Sequence, residues 1–443
     1  MIGQLRKGLA ISCALVAGFA LTGCGGGAPS IPGISSLFES EQVPLPGERI
    51  SVLASGTGGD ATEVESKEPV SLPAPQQNAS WSQPGGVASN APGHLAFAGG
   101  GKTVWREDAG SGSNSDGRVI ALPIVHGGKV FTLDRKGQVT AFSLSGGRVW
   151  RVDLTPEKEN SDNGFGGGLA AEGNQLFVTT GFGTLVALNV NNGKANWTQK
   201  LGVPIRTSPT VANGRIFVVN TDSELFALSA ENGAEIWRGR GLPESASILS
   251  NVSPAVSGDT LVVSYPSGEV VALNASNGEP RWTDSVSGGV IGASLTTIGD
   301  AARPVIDNGV VYAGSRVGRL MATALSSGER VWSREIRAAQ TPWVAGDALF
   351  VVDTNSRLYA LEKKTGKVRW VATLPEARNW SGPTLAGGKL WLASNKGLLV
   401  GVDAKSGQVV TQRDLDDPVY ISPVVAGGRM FVLTDEARLI AMN

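Results

Sequence analysis

The chain has 443 residues, a formal net charge of −1 and 60 glycines. A nearly neutral chain provides no basic field for a nucleic-acid backbone, so an extended phosphate-binding surface is not expected. Its two cysteines, Cys13 and Cys24, both lie near the N-terminus, which excludes a disulfide framework, a cysteine nucleophile and a cysteine metal site from the rest of the chain.

The N-terminus has the pattern of a secretory signal. Arg6 and Lys7 precede an uncharged, mostly apolar run over residues 8–23. This run is short for a membrane span and typical of a signal-peptide core. We therefore expect a signal peptide over residues 1–23.

The end of this run indicates lipid attachment. Residues 21–24 read Leu-Thr-Gly-Cys and resemble the bacterial lipobox, in which the cysteine carries acyl chains after cleavage. The resemblance predicts lipidation of Cys24. It also favours the outer membrane, because the next residue is Gly25 rather than aspartate. An ordinary secretory signal containing a chance cysteine fits the same residues.

Residues 24–93 have the composition of a linker. They are rich in Gly, Ser, Pro, Ala and Asn and show no sustained periodicity. Such a segment buries too little apolar surface to offset the entropy of ordering it. The sequence therefore predicts a lipidated N-terminus followed by a flexible tether. Trp81 is the exception: docking on the folded domain and exposure in a linker both fit it.

Sequence repeats dominate residues 94–443. Short apolar segments separated by Gly and Asn turns recur roughly every 45 residues, and the repeats end on a strand that carries tryptophan, except for one repeat with Thr411 at that position. Four short antiparallel strands per repeat make one blade of a β-propeller. The repeated tryptophans are expected to pack between neighbouring blades: Trp105, Trp150, Trp197, Trp237, Trp282, Trp332 and Trp370.

The two ends of the repeat region are complementary. Residues 438–443 match residues 357–362 inside an earlier repeat, but no fourth strand comes after them. Residues 101–105 supply the missing Gly-Lys-x-x-Trp piece near the start of the region. An N-terminal strand that completes the last blade closes the ring and leaves no exposed sheet edge there. We therefore predict an all-β, eight-bladed propeller; seven blades remain the alternative if one repeat is degenerate.

Two segments carry a family resemblance. Residues 187–197 and 360–370 resemble the tryptophan-docking repeats of quinoprotein-type propellers. Two kinds of protein have such repeats: dehydrogenases that depend on pyrroloquinoline quinone, and the lipoproteins of the outer-membrane assembly factor BamB family. The lipobox, the length and the terminal strand exchange resemble the BamB family, which implies an eight-bladed propeller.

The resemblance also implies a partner-binding surface. In the BamB family, two loops between blades form the surface that meets the barrel insertase. They correspond here to residues 244–252 and to a long connection over residues 285–304. The expected contact residues are Ile248, Leu249, Asn251, Asp300 and Arg303. An arginine of the family's first loop has no clear match, and the acidic pair of its second loop is reduced to Asp300.

Enzyme chemistry has little support in the sequence. A quinone dehydrogenase needs a bound metal, a carboxylate base and groups flanking a planar cofactor. The acidic residues here are scattered over turns, only His94 and His126 are histidines, and the glycine-rich residues 164–168 lack the Lys-Ser/Thr of a phosphate-binding loop. No catalytic residue, metal or cofactor is expected.

Together these features predict a non-catalytic, lipid-anchored scaffold on the periplasmic face of the outer membrane. Its expected partners are the barrel insertase and other subunits of the barrel-assembly complex, with unfolded barrel chains as a further candidate. A periplasmic dehydrogenase-like or ligand-sensing propeller is the alternative.

Overall fold

The computed structural model describes residues 64–241, 252–287, 301–338, 340–375 and 377–443. These residues belong to one compact unit that spans residues 57–443. Within them the chain forms 32 β-strands and a single 3₁₀ turn at Ser161–Asn163. The strands form eight four-stranded antiparallel sheets, which confirms the predicted eight-bladed propeller.

Each blade runs from an inner strand to an outer strand, and the inner strand is the shorter of the two in every blade except blades 2 and 7. The first four blades contain β2 (Ile124–His126), β3 (Lys129–Leu133), β4 (Gln138–Ser143) and β5 (Arg148–Asp153); β6 (Gly167–Glu172), β7 (Gln175–Thr180), β8 (Thr184–Asn189) and β9 (Ala195–Lys200); β10 (Thr210–Ala212), β11 (Arg215–Val219), β12 (Glu224–Ser229) and β13 (Glu235–Arg240); and β14 (Ala255–Ser257), β15 (Thr260–Ser264), β16 (Glu269–Asn274) and β17 (Pro280–Ser285).

The next three blades contain β18 (Val305–Asp307), β19 (Val310–Gly314), β20 (Leu320–Ala324) and β21 (Arg330–Arg334); β22 (Trp343–Ala345), β23 (Ala348–Val352), β24 (Arg357–Glu362) and β25 (Val368–Thr373); and β26 (Trp380–Ala386), β27 (Lys389–Ser394), β28 (Leu398–Asp403) and β29 (Val409–Asp414). Blade 8 contains β30 (Val424–Ala426), β31 (Arg429–Leu433), β32 (Arg438–Met442) and β1 (Thr103–Asp108).

Blade 8 closes the ring as predicted. The N-terminal strand β1 pairs antiparallel with the C-terminal strand β32, and Trp105 lies opposite Ala441. Lys102 and Asn443 exchange backbone hydrogen bonds of 2.8 and 2.9 Å just beyond the strands. The outer strand of the last blade is therefore supplied by the start of the repeat region, and backbone hydrogen bonds close the ring.

The sequence pattern explains which strands are buried. The second and third strands of a blade lie between neighbouring sheets, and their apolar runs are almost fully buried, as in β11 and β12. The fourth strands alternate between exposed and partly buried positions, as in β13. In the hairpin that joins β2 to β3, Gly127 and Gly128 both have positive φ (57° and 71°), a conformation that two-residue turns between antiparallel strands require.

The seven tryptophans of the repeat lie between adjacent blades. In blade 3, Trp237 packs on Phe217 of its own blade with ring centroids 6.0 Å apart. Its indole Nε1 donates to the carbonyl of Ala275 in blade 4 at 3.1 Å. The same indole covers Gly278, where an added Cβ would lie 2.7 Å from the ring. Each contact of this kind joins one outer strand to the next blade.

Residues 76–96 form a second closed circuit inside the ring, which we call the axial belt. The first strands of successive blades contact one another, so they form the innermost layer of the propeller. The two ends of the belt are hydrogen-bonded to each other: the Gln76 amide donates to His94 O at 2.8 Å and the Ala96 amide donates to Gln76 O at 2.8 Å.

The axial belt is hydrogen-bonded to all eight blades. For example, Trp81 exchanges backbone bonds of 2.7 and 2.9 Å with Val125 in blade 1. The other bonds join Asn78 to Val425 and Gly427, Ser82 to Ala171, Gln83 to Val211, Ala88 to Val256, Ser89 to Ile306, Gly93 to Trp343, and Leu95 to Leu385 and Gly387. The belt therefore runs along the inner strands of the ring in the order 8, 1, 2, 3, 4, 5, 6, 7.

This arrangement corrects part of the predicted tether. The prediction assigned residues 24–93 to a flexible linker, yet residues 64–93 lie against the propeller. Glu65 and Ser66 donate backbone bonds to Val368 O at the start of β25, and Ser71 accepts one from Asp347. Low hydrophobicity did not prevent ordering, because hydrogen bonds to existing strands hold the segment together with the buried side chains of Val70 and Trp81. Residues 1–63 lie outside the described part of the chain.

Candidate partner-binding surface

The predicted contact residues lie on two connections between blades. One joins β13 to β14 and the other joins β17 to β18. Each leads from the outer strand of one blade to the inner strand of the next, so both open on the same face of the propeller. Ile248, Leu249, Asn251 and Asp300 fall outside the described residues, and their contacts remain predictions.

The described ends of both connections are fixed to neighbouring hairpins. At the first, the Gly241 amide donates to Ser223 O at 2.9 Å. At the second, Val286 donates to Gly268 O at 2.9 Å and Ala302 donates to Gly314 O at 2.8 Å. The hairpins concerned join the second and third strands of blades 3, 4 and 5. The connections therefore start and end on a framework set by the blades.

Arg303 is the predicted contact residue that the structure describes, and its side chain points into the protein. Its Nη1 donates to the carbonyl of Pro84 in the axial belt at 3.0 Å. Burial lowers the pKa of Arg303 to about 10, so the guanidinium remains charged at neutral pH. The structure therefore places Arg303 as a link between the second connection and the belt.

The same face carries an arginine stacked on an aromatic ring. Arg206, in the connection between blades 2 and 3, lies over Phe165 with its guanidinium carbon 4.5 Å from the ring centroid. Burial lowers the pKa of Arg206. No carboxylate pairs with it in the described part of the chain. Arginine and aromatic side chains of this kind are enriched at protein–protein interfaces.

Both histidines hold the axial belt in place. His94 lies within 2.7 Å of Pro73 O through Nδ1, and its Nε2 accepts the Gly388 amide at 2.9 Å. Because a backbone amide can only donate, Nε2 is the acceptor, and Nδ1 is left to donate to Pro73 O. His126 similarly bridges Ser82 in the belt, at 2.8 Å, and Gly173 O, at 2.7 Å. The two histidines thus have structural hydrogen-bonding roles.

The belt also reduces the number of backbone hydrogen-bonding groups that are available to a ligand on the propeller axis. Backbone N–H and C=O groups of the inner strands would be the first donors and acceptors for a ligand on the axis. In seven of the eight blades, all except blade 6, backbone groups of the inner strand bond to residues 76–96 instead. Over the described residues, no group of three or more His, Cys, Asp or Glu side chains is placed to hold a metal ion. The same part of the chain contains no helix long and apolar enough to cross a membrane.

Sequence comparison identifies the family. Residues 48–155, 135–372 and 373–443 match the sequence profile described as outer membrane protein assembly factor BamB. The chain belongs to the BamB family. This confirms the resemblance inferred from the tryptophan repeats.

Individual BamB relatives cover most of the chain. BamB of Yersinia pestis is 28% identical over 336 residues, which are 74% of this chain and 85% of the relative. BamB of Shewanella oneidensis is 27% identical over 354 residues, which are 77% of this chain and 90% of the relative. The similarity therefore extends over nearly the whole length of these BamB proteins.

Solved structures support the fold. The crystal structure of BamB from Moraxella catarrhalis superposes with a TM-score of 0.66 at 18% identity, covering 77% of this chain and 98% of that protein. Quinohemoprotein alcohol dehydrogenase from Comamonas testosteroni superposes with a TM-score of 0.64 at 14% identity, covering 82% and 80%. The BamB proteins and the quinone-dependent dehydrogenases, the two kinds of protein that have such tryptophan repeats, thus share the propeller architecture. The sequence match assigns this chain to the BamB family.

Proposed function

We propose that this chain is a non-catalytic assembly factor of the outer membrane that binds the barrel insertase and aids insertion of β-barrel proteins. The observation that carries the proposal is the match to the BamB family over residues 48–443. The relatives from Yersinia pestis and Shewanella oneidensis are both named as outer membrane protein assembly factors.

The proposed mechanism is docking through loops on one face. The connections β13–β14 and β17–β18 open on the same side, and their described ends are held by backbone hydrogen bonds to three blades. A rigid base lowers the entropy lost when loops become ordered against a partner. The axial belt supports this role over an axial cofactor, because it uses the backbone groups that an axial ligand would contact.

We further propose that Cys24 carries the lipid anchor and holds the propeller at the periplasmic face of the outer membrane. Each buried methylene of an acyl chain contributes roughly 0.8 kcal/mol, so several chains give stable attachment. Attachment to the same membrane raises the local concentration of propeller and insertase. This would strengthen a weak contact between them without adding bonds to the interface.

The test is recovery of the insertase with the tagged full-length chain from detergent-solubilised outer membranes. We expect recovery with the wild type and loss of most of it in the double variant Ile248→Asp, Leu249→Asp. Val410→Asp is the control, because it introduces the same charge at an apolar residue outside the two connections, 53% accessible on the outer strand β29 of blade 7. Equal recovery with the double variant and the control would refute docking through the first connection.

A further inference from the structure

One belt side chain joins the ends of both partner-binding connections. Asn90 is buried, and its Nδ2 donates to Pro304 O at 2.9 Å and to Pro254 O at 3.4 Å. Pro254 immediately precedes β14, and Pro304 immediately precedes β18. A single amide group therefore bridges the points at which the two connections enter blades 4 and 5.

The backbone around Asn90 is tightly determined. Asn90 has a φ of 58°, a left-handed conformation that asparagine adopts more readily than most residues. Its backbone N–H donates to Val87 O at 3.0 Å. Gly85 packs so closely that an added Cβ would lie 2.1 Å from Asn90 Oδ1. These contacts fix the direction of the side-chain amide before any partner binds.

Neighbouring belt residues hold the same two blades. The Val256 amide donates to Ala88 O at 2.8 Å, and the Ile306 amide donates to Ser89 O at 2.9 Å. A third link comes from the opposite direction, since Arg303 reaches back to Pro84 O. The belt thus contacts the end of the second connection through both its backbone and its side chains.

We infer that the axial belt positions the partner-binding face, with Asn90 as the positioning residue that sets the separation of the two connections. The inference rests on the proposed docking function. Because Asn90 is buried and contacts the described ends of both connections, it acts through Pro254 and Pro304. Losing the bridge removes the side-chain donor to the buried carbonyl of Pro304 and leaves that of Pro254 with the Thr210 hydroxyl at 2.7 Å, so the two connections are no longer tied to each other and the base of both loops loosens. We expect roughly tenfold weaker binding of the insertase.

The axial belt contains a matched control. Asn78 Nδ2 also donates to two carbonyls, to Val425 O at 2.7 Å and to Ser80 O at 3.1 Å. It does so at blade 8, away from the two connections. Asn90→Asp and Asn78→Asp therefore make the same chemical change in the same belt, each replacing a donor by a carboxylate that faces carbonyl oxygens.

Two measurements separate positioning from general stability. The first is the affinity of each full-length variant for purified insertase in detergent, compared with its melting temperature. The second is hydrogen exchange of the Val256 and Ile306 amides in the free protein. We expect Asn90→Asp to weaken binding about tenfold and to speed exchange at both amides, whereas Asn78→Asp changes neither, even where its melting temperature falls by a similar amount.

The outcomes are decisive in both directions. If the two variants bind equally well, or lose affinity in proportion to their melting temperatures, Asn90 has no positioning role. If the wild type does not bind insertase, the proposed function fails, and the exchange difference at Val256 and Ile306 still decides whether the belt holds these blades. Should Asn90→Asp not fold, Asn90→Gly replaces it, because glycine adopts positive φ without strain and adds no charge.

Discussion

Replacing Trp81 by alanine tests whether the axial belt is part of the folded unit. Trp81 is 2% exposed and stacks on Trp343 of blade 6, with ring centroids 6.1 Å apart and planes inclined by 27°. It also pairs through its backbone with Val125 of blade 1. The indole therefore fills space inside the ring at the level of the inner strands.

The expected destabilisation comes from this burial. Truncating a buried tryptophan to alanine costs about 3–5 kcal/mol, through lost transfer free energy and the cavity left behind. Unfolding entropy of about 2.1 cal/mol/K per residue gives roughly 0.8 kcal/mol/K for a unit of this size, so about 4 kcal/mol lowers Tm by about 5 °C. Trp81→Phe keeps much of the apolar volume. Trp81 Nε1 has no hydrogen-bond partner among the described residues, so phenylalanine should lower Tm by only about 1–2 °C.

The assay is thermal unfolding of both variants, monitored by tryptophan fluorescence and by far-ultraviolet circular dichroism of the sheets. The order wild type, Trp81→Phe, Trp81→Ala in Tm supports a belt that unfolds with the blades. Melting of all three proteins at the same temperature would show that residues 76–96 do not contribute to the cooperative unit, and the reasoning about the belt would fail with it.

Three further outcomes are expected from local geometry. Gly278→Ala should lower the melting temperature more than Gly258→Ala. Both glycines have positive φ (78° and 57°), but an added Cβ meets an indole ring at Gly278 and open space at Gly258. Equal losses of stability would contradict a role for the indole. Burial raises the pKa of Asp284, but hydrogen bonds led by its arginine partner in the next blade outweigh burial and hold the pKa below its ordinary value. A carboxyl whose pKa is lower in the folded state contributes stability that is present above the unfolded pKa of about 4 and is lost as pH falls through the folded value. Asp284→Asn should therefore make the free energy of unfolding depend less on pH below about pH 4. An unchanged pH dependence in this range would refute a stabilising role for the ionised Asp284 carboxylate. Cys24→Ala should abolish incorporation of labelled palmitate and release the protein from membranes, and label retained in this variant would exclude Cys24 as the acylated residue.

The propeller could be predicted from sequence because every blade repeats the same pattern of turns and apolar strands. The Gly turns and the apolar second and third strands recur in each unit, and seven of the eight outer strands carry the tryptophan, with Thr411 at that position in blade 7, so one blade explains the others. Ring closure could be predicted equally well, since residues 101–105 supply the Gly-Lys-x-x-Trp strand that the last repeat lacks. One detail of blade 7 does not follow from the repeat: its inner strand β26 begins at Trp380 and extends through a bulge between Ser381 and Thr384.

The belt could not be predicted in the same way. Its residues have no period, and most of its hydrogen bonds use backbone atoms, which leave no mark on residue type. The sequence signals were Trp81, an apolar ring in a polar segment, and the Gln-Pro-Gly-Gly turn over residues 83–86. Asn90 looked like an ordinary linker asparagine. Its role depends on two carbonyls that lie over 160 residues later in the chain.

The pairing of β1 with β32 sets an order of events during synthesis. The first ring strand to be made must wait for residues near position 441 before it gains its partner, because Trp105 lies opposite Ala441. Contacts between such distant positions make folding slow relative to local hairpins. A chain interrupted before β32 would also leave unpaired strand edges in blade 8, which invite aggregation. Only a polypeptide synthesised through β32 can become a sealed ring.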